Sequence, residues 1–440
     1  MAQLDAHASP GGASFGAAPY AAVDTDTLIR SLLFVAAFLA AWISFHPFQS
    51  LAEPPQAVNE GGDLVNQLAF SGLFLALLTW TWFHEPQRIL FAARPALVIL
   101  LLWIALTCLT SWEPALAMRR FAFAMVLLGI GAMVLLLPKS VRHFSDLIAA
   151  VTLITLLACY LGVFLVPQLA VHQATDFLEP EHAGEWRGVF SHKNQAGAVM
   201  VMFIFIGLFV MRMRSLALGG LIAALALIFL GFSGSKTAMA VLPMVLILSA
   251  IIGRSRRPLV GITLVVAILF AFNLFSVGTV IFPAVQKLVA MVMPDATFTG
   301  RTDIWEVGVQ AVARRPITGY GFSAFFGTPE VVYGLGENQT WANEATDAHN
   351  AYLNLALTIG LPGLLLTILW VVVLPIADFY RLPSDDRSAP MQLLFLRVCL
   401  YGIYSSCFES SIFQQVGEVW FFFMISAFGL RYASRMRTTA

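Results

Sequence analysis

The sequence has few charged residues for its length. Of its 440 residues, only 11% are Asp, Glu, Lys or Arg, whereas soluble domains carry about 25%. This deficit excludes a water-facing surface over most of the chain, and the hydrophobic content of 59% indicates a surface that faces lipid. The 25 basic and 25 acidic residues balance to zero net charge, so the composition gives no sign of the basic surface that nucleic-acid binding requires.

Metal-ligand and nucleotide-binding patterns are also missing from the sequence. The four cysteines lie in apolar runs and lack metal-ligand spacing: Cys108, Cys159, Cys399 and Cys407. Neither a His-Glu-x-x-His sequence nor a Walker loop is present. We therefore expect no metal ion and no cofactor.

Hydrophobic runs recur along the whole chain. A transmembrane helix needs about 20 mostly apolar residues, and about twelve segments reach or approach that length. The sequence therefore predicts an all-α, polytopic bundle of about twelve transmembrane helices. Their approximate bounds are 28–45, 64–83, 95–110, 121–137, 147–166, 195–211, 216–232, 237–252, 259–282, 352–376, 391–407 and 416–432.

Basic residues occur in every second connecting loop, as at Arg94, Arg256 and Arg381. Because loops rich in Lys and Arg stay in the cytoplasm, we predict that these loops and both termini are cytoplasmic. The exception is the pair Arg119 and Arg120, which lies near the outer end of the fourth span.

This topology places two long segments, 167–194 and 283–350, on the outer side. The second connects the ninth and tenth spans, and it is too aromatic and patterned for disorder. The predicted division of the chain is a disordered cytoplasmic N-terminus at 1–27, one membrane domain at 28–432 and a cytoplasmic tail at 433–440.

A short amphipathic helix is predicted within the second long segment, at residues 301–315. Thr302 is its expected N-cap, and Arg314 with Arg315 suits its C-terminal end. Trp305, together with Val309 and Val312, shares one face, which we expect to rest on the bundle or at the membrane interface.

Polar residues concentrate in four clusters on the predicted outer side. They are residues 187–194 (Arg-Gly-Val-Phe-Ser-His-Lys-Asn), 233–237 (Ser-Gly-Ser-Lys-Thr), 299–305 (Thr-Gly-Arg-Thr-Asp-Ile-Trp) and 347–350 (Asp-Ala-His-Asn). The second cluster reads as a tight turn between two spans. Since ionisable groups near a membrane are costly, their concentration at one face favours a functional site there.

The side chains of these clusters suit a phosphorylated substrate. An Arg guanidinium grips phosphate oxygens with two parallel hydrogen bonds, and a Lys adds a point charge. Such cations would stabilise a leaving pyrophosphate, and a histidine beside them could accept the proton of an attacking hydroxyl. The candidate site residues are Arg187, His192, Lys193, Asn194, Ser235, Lys236, Arg301, Asp303, His349 and Asn350.

Structural explanations compete with these functional ones. Basic side chains at helix ends commonly extend to lipid headgroups, and Asp303 suits helix capping or pairing with an arginine. Arg397 interrupts a predicted span, so we expect it to face the bundle interior, where it either pairs with Glu409 or has a function of its own.

In their order along the chain, the clusters resemble the O-antigen ligase and polysaccharide polymerase (Wzy_C-type) superfamily of bacterial envelopes. Residues 187–194 look like the signature of its exopolysaccharide-polymerase (ExoQ-like) branch, and 233–238 look like its Ser-x-Ser-Arg/Lys-Thr turn. The start of the family's large periplasmic loop is similar to residues 299–305 together with Gly319-Tyr320-Gly321. The end of that loop is similar to His349-Asn350 together with residues 360–363 (Gly-Leu-Pro-Gly).

The resemblance implies a GT-C-like bundle in the bacterial inner membrane. It implies metal-independent, inverting transfer of a glycan from undecaprenyl pyrophosphate to an acceptor hydroxyl at the periplasmic face. By position, Arg187 and Arg301 would hold the pyrophosphate with Lys193 and Lys236 assisting, and His349 would be the base or would orient the acceptor. A flippase and chain-length or export proteins are the implied partners.

Three functions remain open at this stage. The form of residues 187–194 favours a polymerase of lipid-linked exopolysaccharide repeats over a ligase that moves O-antigen to lipid A–core, or a protein O-oligosaccharyltransferase. A transporter or flippase of lipid-linked glycans is an alternative of another class. A flippase would need polar residues along a path through the membrane, and Arg397 is the only strong candidate for such a position.

Overall fold

The described residues of the protein are almost entirely helical. The computed structural model describes residues 24–52, 63–177, 179–292, 300–328, 331, 345–387 and 389–436. Within these ranges the only strand-like pairing is an isolated bridge between Val171 and Trp186, which confirms the all-α prediction. Residues 1–23 of the predicted disordered start, the last residues of the predicted tail and parts of the second long outer segment lie outside the described residues. The prediction of disorder is wrong for residues 25–27, which form the first turn of a helix that begins at Thr25.

The longer helices follow one another as predicted. They are α1 (Thr25–Ile43), α2 (Leu64–His84), α3 (Pro95–Leu109), α4 (Pro114–Val134), α5 (Val141–Leu165), α6 (Lys193–Met213), α7 (Leu216–Ser233), α8 (Lys236–Arg254), α9 (Pro258–Phe275), α10 (Arg301–Arg314), α11 (Ala351–Arg381), α12 (Pro390–Ser405) and α13 (Glu418–Met436). Shorter helices lie between them at Pro86–Ile89, Pro167–Ala170, Pro180–His182, Gly278–Ile281, Pro283–Val292 and Ser384–Arg387.

Nine helices of the described chain are long and apolar enough to cross a membrane: α1, α2, α4 to α9 and α11. The other three predicted spans are also helices, α3, α12 and α13, with 15, 16 and 19 residues. The fold is therefore that of a polytopic helical membrane protein. The predicted ninth span ends earlier than expected, at Phe275, and a separate short helix follows it.

Large apolar side chains cover the outer surface of the bundle. Soluble proteins rarely expose contiguous apolar surface of this kind. Examples that are at least 65% exposed are Leu68, Phe83, Leu102, Phe164, Leu259 and Phe270. These side chains require lipid around the bundle.

Among the nine helices that are long and apolar enough to cross a membrane, α6 is the most deeply buried. It packs against α5, α7, α8, α12 and α13. Because α6 begins at Lys193, inside the first polar cluster, a largely buried helix carries that cluster at its N-terminus.

Two of the segments that carry the family resemblance are in contact at a kink in α11. Gly360 has φ 70°, a left-handed conformation that interrupts the helix. The backbone N–H groups of Tyr320 and Gly321 donate to the carbonyl oxygens of Leu357 and Thr358, both at 2.9 Å. The N–H of Leu361 donates to Pro316 at 2.8 Å. The segment after α10 is therefore fixed to the middle of α11.

A buried ion cluster lies at the end of α11 that is remote from His349. One carboxylate oxygen of Asp378 lies 2.6 Å from Arg94, 3.0 Å from Arg381 and 3.9 Å from Arg431. The charge pattern predicts all three arginines on the same side of the membrane. Roughly 40 Å of helix separate Asp378 from the start of α11 at Ala351, so the basic loops and the four polar clusters lie at opposite ends of the bundle.

Candidate functional site

Glu409 gathers side chains from three of the four polar clusters. Its Oε1 atom lies 3.1 Å from Nη2 of Arg301 and 3.2 Å from Nδ2 of Asn194. Its Oε2 atom lies 3.5 Å from Nδ1 of His349. A cation, an amide and an imidazole that are far apart in sequence thus meet on one carboxylate.

Helix α10 brings Arg301 to this point. Its N-cap is Gly300, with φ 82°, and Thr302 lies inside the first turn, so the prediction of Thr302 as the cap is wrong. The predicted apolar face is confirmed, because Trp305 is 1% exposed and packs in the core. The indole Nε1 of Trp305 donates to the carbonyl of Ala348 at 3.0 Å, which docks α10 against the residue before His349.

His349 is held by its neighbours in a left-handed conformation, with φ 46°. Its backbone N–H donates to Oδ1 of Asp347 at 2.7 Å. The next residue, Asn350, is fully buried, and its side chain caps α11 by accepting the N–H of Leu353 at 3.0 Å.

Asn350 also donates to Oδ1 of Asn273 at 3.0 Å and to the carbonyl of Cys407 at 2.9 Å. The sequence predicts it as a substrate ligand. In the structure its side chain ties the start of α11 to α9 and to the segment that carries Glu409, and so positions His349. Its contact with substrate stays a prediction.

Electrostatics favour the charged forms of His349 and Glu409. Burial lowers the pKa of His349, but the carboxylates of Glu409 and Asp347 raise it above its ordinary value. Burial raises the pKa of Glu409, yet His349 and Arg301 bring it below its ordinary value. The pKa of the His349 imidazole is therefore raised above its usual value.

Two histidines cap the N-terminus of α6. Nδ1 of His192 accepts the N–H of Asn194 at 3.1 Å, and Nε2 of His172 accepts the N–H of Lys193 at 3.3 Å. The other ring nitrogen of His192 contacts Glu179 at 2.7 Å. That hydrogen bond lowers the pKa of the Glu179 carboxyl to about 2.

Lys193 is paired with Glu185, whose Oε2 lies 2.5 Å from its Nζ. The same segment is joined to the turn between α7 and α8, since the N–H of Trp186 donates to Phe232 at 3.0 Å. This turn has the predicted form, with Gly234 in the left-handed conformation and a buried Ser235 at the N-cap of α8. All four polar clusters therefore lie at the same end of the bundle.

Lys236 and Asp303 stand apart from the Glu409 group. Both side chains are exposed, and neither forms an ion pair within the described part of the chain. Within the described residues, a ligand could reach either side chain without breaking an ion pair.

Arg187 is buried, with 1% of its surface exposed. Its guanidinium donates to the carbonyl of Phe190 at 3.1 Å and to that of Gln49 at 2.5 Å. Its Nε has no hydrogen-bond partner among the described residues. Arg187 thus fixes the loop before α6 to the segment after α1, and its predicted contact with pyrophosphate stays a prediction.

A possible metal cluster, missed by the search for sequence spacing, forms at Glu179, His182 and His192, whose ligand atoms lie within 4.8 Å of one another. Because Nδ1 of His192 accepts a backbone N–H, its Nε2 carries the proton and donates it to Glu179. This tautomer offers no free lone pair to a metal ion. Metal independence remains a prediction.

Sequence reasoning missed Glu409 as a site residue and considered it only as a partner of Arg397. That pairing is wrong, because Nε of Arg397 contacts Oγ of Ser249 at 3.3 Å, whereas Glu409 pairs with Arg301 and His349. A carboxylate just after an apolar helix was the available signal, since ionisable residues at membrane depth are rare and usually functional.

Comparison with known proteins confirms the resemblance proposed from the sequence. Residues 221–368 match the family model described as O-antigen ligase. The chain is also 26% identical over 227 residues to the "Exopolysaccharide production protein ExoQ" of Rhizobium meliloti (strain 1021). That alignment covers 47% of this chain and spans about half, 50%, of the relative. The family match includes Lys236, Arg301 and His349 but not residues 187–194.

Proposed function

We propose that this relative of the O-antigen ligases is an inner-membrane glycosyltransferase that polymerises undecaprenyl-pyrophosphate-linked repeat units at the periplasmic face. The observation that carries the proposal is the meeting of Arg301 and His349 on Glu409. A cation for a leaving phosphate and a base for an attacking hydroxyl then contact the two different oxygens of the Glu409 carboxylate.

In the proposed reaction, the acceptor hydroxyl attacks the anomeric carbon of the donor sugar. The bond from that carbon to the pyrophosphate oxygen breaks, with inversion at carbon. His349 accepts the hydroxyl proton, which contributes about 10²–10⁴-fold to the rate. The adjacent carboxylates of Asp347 and Glu409 stabilise the imidazolium that forms.

Arg301 is placed to receive the departing pyrophosphate. It is the first residue of α10, whose N-terminus has no side-chain cap, and helix N-termini favour anions through their free N–H groups and dipole. A pyrophosphate would compete with Glu409 for this guanidinium. We propose that Lys193, Lys236 and Arg187 supply further positive charge, and that the neighbouring polar residues His192, Asn194, Ser235, Asn350 and Asp303 line or support the binding site.

The repeat-unit polymerase is preferred over a ligase because the relative is named for exopolysaccharide production. We propose that the acceptor is itself a glycan, and that no metal ion takes part. A flippase that delivers the donor, and chain-length or export proteins, would be the functional partners.

Deletion of the gene in its native host, with profiling of secreted and cell-bound polysaccharide, tests this proposal. We expect loss of a secreted polymer with intact lipopolysaccharide. Accumulation of O-antigen that is not attached to lipid A–core would identify a ligase instead. Unchanged polysaccharide of both kinds would contradict the glycosyltransferase assignment.

A further inference from the structure

A polar cavity of about 480 Å³ opens beside His349. Asp347, which accepts the backbone N–H of His349, lines it, and so does Ser410, the neighbour of Glu409. The cavity is therefore next to the proposed base, and Arg301 does not line it. Its volume lies within the range of about 300–1,000 Å³ that is usual for small-ligand sites.

The lining of this cavity has the chemistry that binds saccharides. Sugar rings place their C–H faces on aromatic rings, and their hydroxyls need groups that both donate and accept hydrogen bonds, as amides do. The aromatic and amide residues are Phe325, Phe326, Phe413, Asn354, Gln414 and Gln415. The buried hydroxyl oxygen of Ser410 has no hydrogen-bond partner among the described residues, which leaves it free for a ligand.

One cation also lines the cavity. Arg120 donates to the carbonyl of Ser323, but it forms no ion pair with any described residue. A partly buried guanidinium without a counter-ion is costly unless a ligand supplies the negative charge. Arg120 thus favours a saccharide that carries an acidic group, such as a uronic acid or an acidic substituent.

A second cavity, of about 190 Å³, shares Gln414 and Gln415 with the first. Its other walls include Ser191 and Gln195, at the first polar cluster. The two glutamines thus border both spaces, so a glycan chain that reaches from one to the other would meet both amides.

We propose that the larger cavity is the acceptor subsite and that it binds the terminal sugars of an acidic glycan, with Arg120 contacting the acidic group and the amides contacting the hydroxyls. This inference rests on the proposed function and deepens it. The bound glycan directs one hydroxyl to His349. Its oxygen bonds to the donor's anomeric carbon, its proton passes to His349, and the pyrophosphate leaves towards Arg301.

Binding of free oligosaccharides to the full-length protein in lipid nanodiscs tests the subsite apart from catalysis. The probes are a tetrasaccharide that contains uronic acid and a neutral tetrasaccharide of the same length, both without lipid or pyrophosphate. We expect the acidic probe to bind at least about tenfold more tightly than the neutral one, in the range that one good charge-assisted contact provides.

Substitutions in the cavity wall then locate the binding. Gln414→Ala and Gln415→Ala affect exposed residues, so folding is preserved, and each should weaken binding of both probes several-fold. Arg120→Gln should weaken only the acidic probe, by about tenfold. The matched controls are Arg119→Gln, at the adjacent arginine, and Gln310→Ala, at an exposed glutamine of α10; neither residue lines the cavity.

The outcomes separate the subsite from the proposed function. His349→Ala should bind the acidic probe as the unmodified protein does, because His349 does not line the cavity. The subsite would be overturned, even if polymer is made, if the cavity substitutions leave probe binding unchanged. It would also be overturned if a peptide or lipid A–core displaces the probe. Normal binding in a protein that transfers no glycan would reject the polymerase and leave the subsite standing.

Discussion

Arg301 and Glu409 form an ion pair with an Nη2–Oε1 distance of 3.1 Å, although 108 residues separate them in the chain. The pair lies in a setting that excludes much of the solvent, so it is screened less than a surface pair. It fixes the guanidinium next to His349, which contacts the other oxygen of the same carboxylate. The roles proposed for Arg301 and His349 depend on this shared carboxylate.

Arg301→Ala and His349→Ala should each abolish polymer formation in cells. Loss of a preorganised charge at a leaving group typically lowers the rate about 10²–10³-fold, and loss of a general base about 10²–10⁴-fold. Polymer length and amount on gels, with membrane insertion checked by immunoblot, provide the measurement.

Arg314→Ala is the matched control for Arg301→Ala. Arg314 is exposed at the opposite end of α10 and lines neither cavity, so polymer should be unchanged. Full-length polymer from both the Arg301 and His349 variants, at normal protein levels, would remove the roles assigned to them.

Glu409→Gln should move the acidic limb of the pH–rate profile to lower pH. In the native protein, Glu409 and Asp347 raise the pKa of His349 against the effect of burial. Because only the neutral imidazole accepts a proton, activity falls as the pH drops below that raised pKa. Without the Glu409 charge, burial and Arg301 lower the pKa, so the fall occurs at lower pH.

Transfer by the purified protein, measured from about pH 5 to pH 9, checks this shift. The maximal rate should also decrease, since Arg301 loses its charged partner and keeps at most a weaker hydrogen bond to the neutral amide oxygen. An acidic limb at the same pH in both proteins would show that His349 is not the titrating group.

Gly360→Ala should destabilise the protein. A residue with a side chain in the left-handed conformation costs about 1–3 kcal/mol, and a Cβ atom at this position would overlap the carbonyl oxygen of Ile317. We expect a lower thermal unfolding midpoint in detergent and weaker docking of the segment after α10.

Gly72→Ala serves as the comparison, because a Cβ atom there meets nothing within 4 Å. Alanine is favoured over glycine inside a helix by about 0.5–1 kcal/mol, so this variant should be as stable as the native protein or slightly more so. Equal stability of the two variants would contradict the close packing of α11 against the segment that includes Tyr320.

Chelation should leave the transfer reaction intact. Purified protein treated with EDTA should retain its rate, and His182→Ala should retain it as well. The reason is that His192, in the candidate cluster found among the described residues, already uses its lone pair to accept a backbone N–H. Loss of activity that Zn²⁺, Mg²⁺ or Mn²⁺ restores would reject the metal-free scheme.

Much of the site could be predicted from the sequence because its residues occur in short local patterns. The turn at Gly234 and Ser235 and the apolar face of α10 around Trp305 depend on local periodicity and turn chemistry, and the structure confirms both. Thr302 was misplaced because helix boundaries depend on capping geometry that neighbouring segments decide.

Glu409 and the glycan cavity could not be found in the same way. The contacts of Glu409 with Asn194, Arg301 and His349 come from distant parts of the chain. The cavity likewise combines residues of α4 and α11 with the segments after α10, before α11 and after α12. No spacing of residues within a short stretch of sequence predicts such contacts.

The sequence by itself determined that this protein is a helical membrane bundle with polar clusters at one end. Hydrophobicity and charge are properties of single residues, so their distribution along the chain is sufficient to predict the spans and the polar ends of the bundle. Only the tertiary structure decided which polar groups share a partner, because that depends on how α6, α10 and α11 pack. Packing placed Glu409 between the cation and the imidazole, buried Arg187 against backbone carbonyls and left Arg120 facing a cavity.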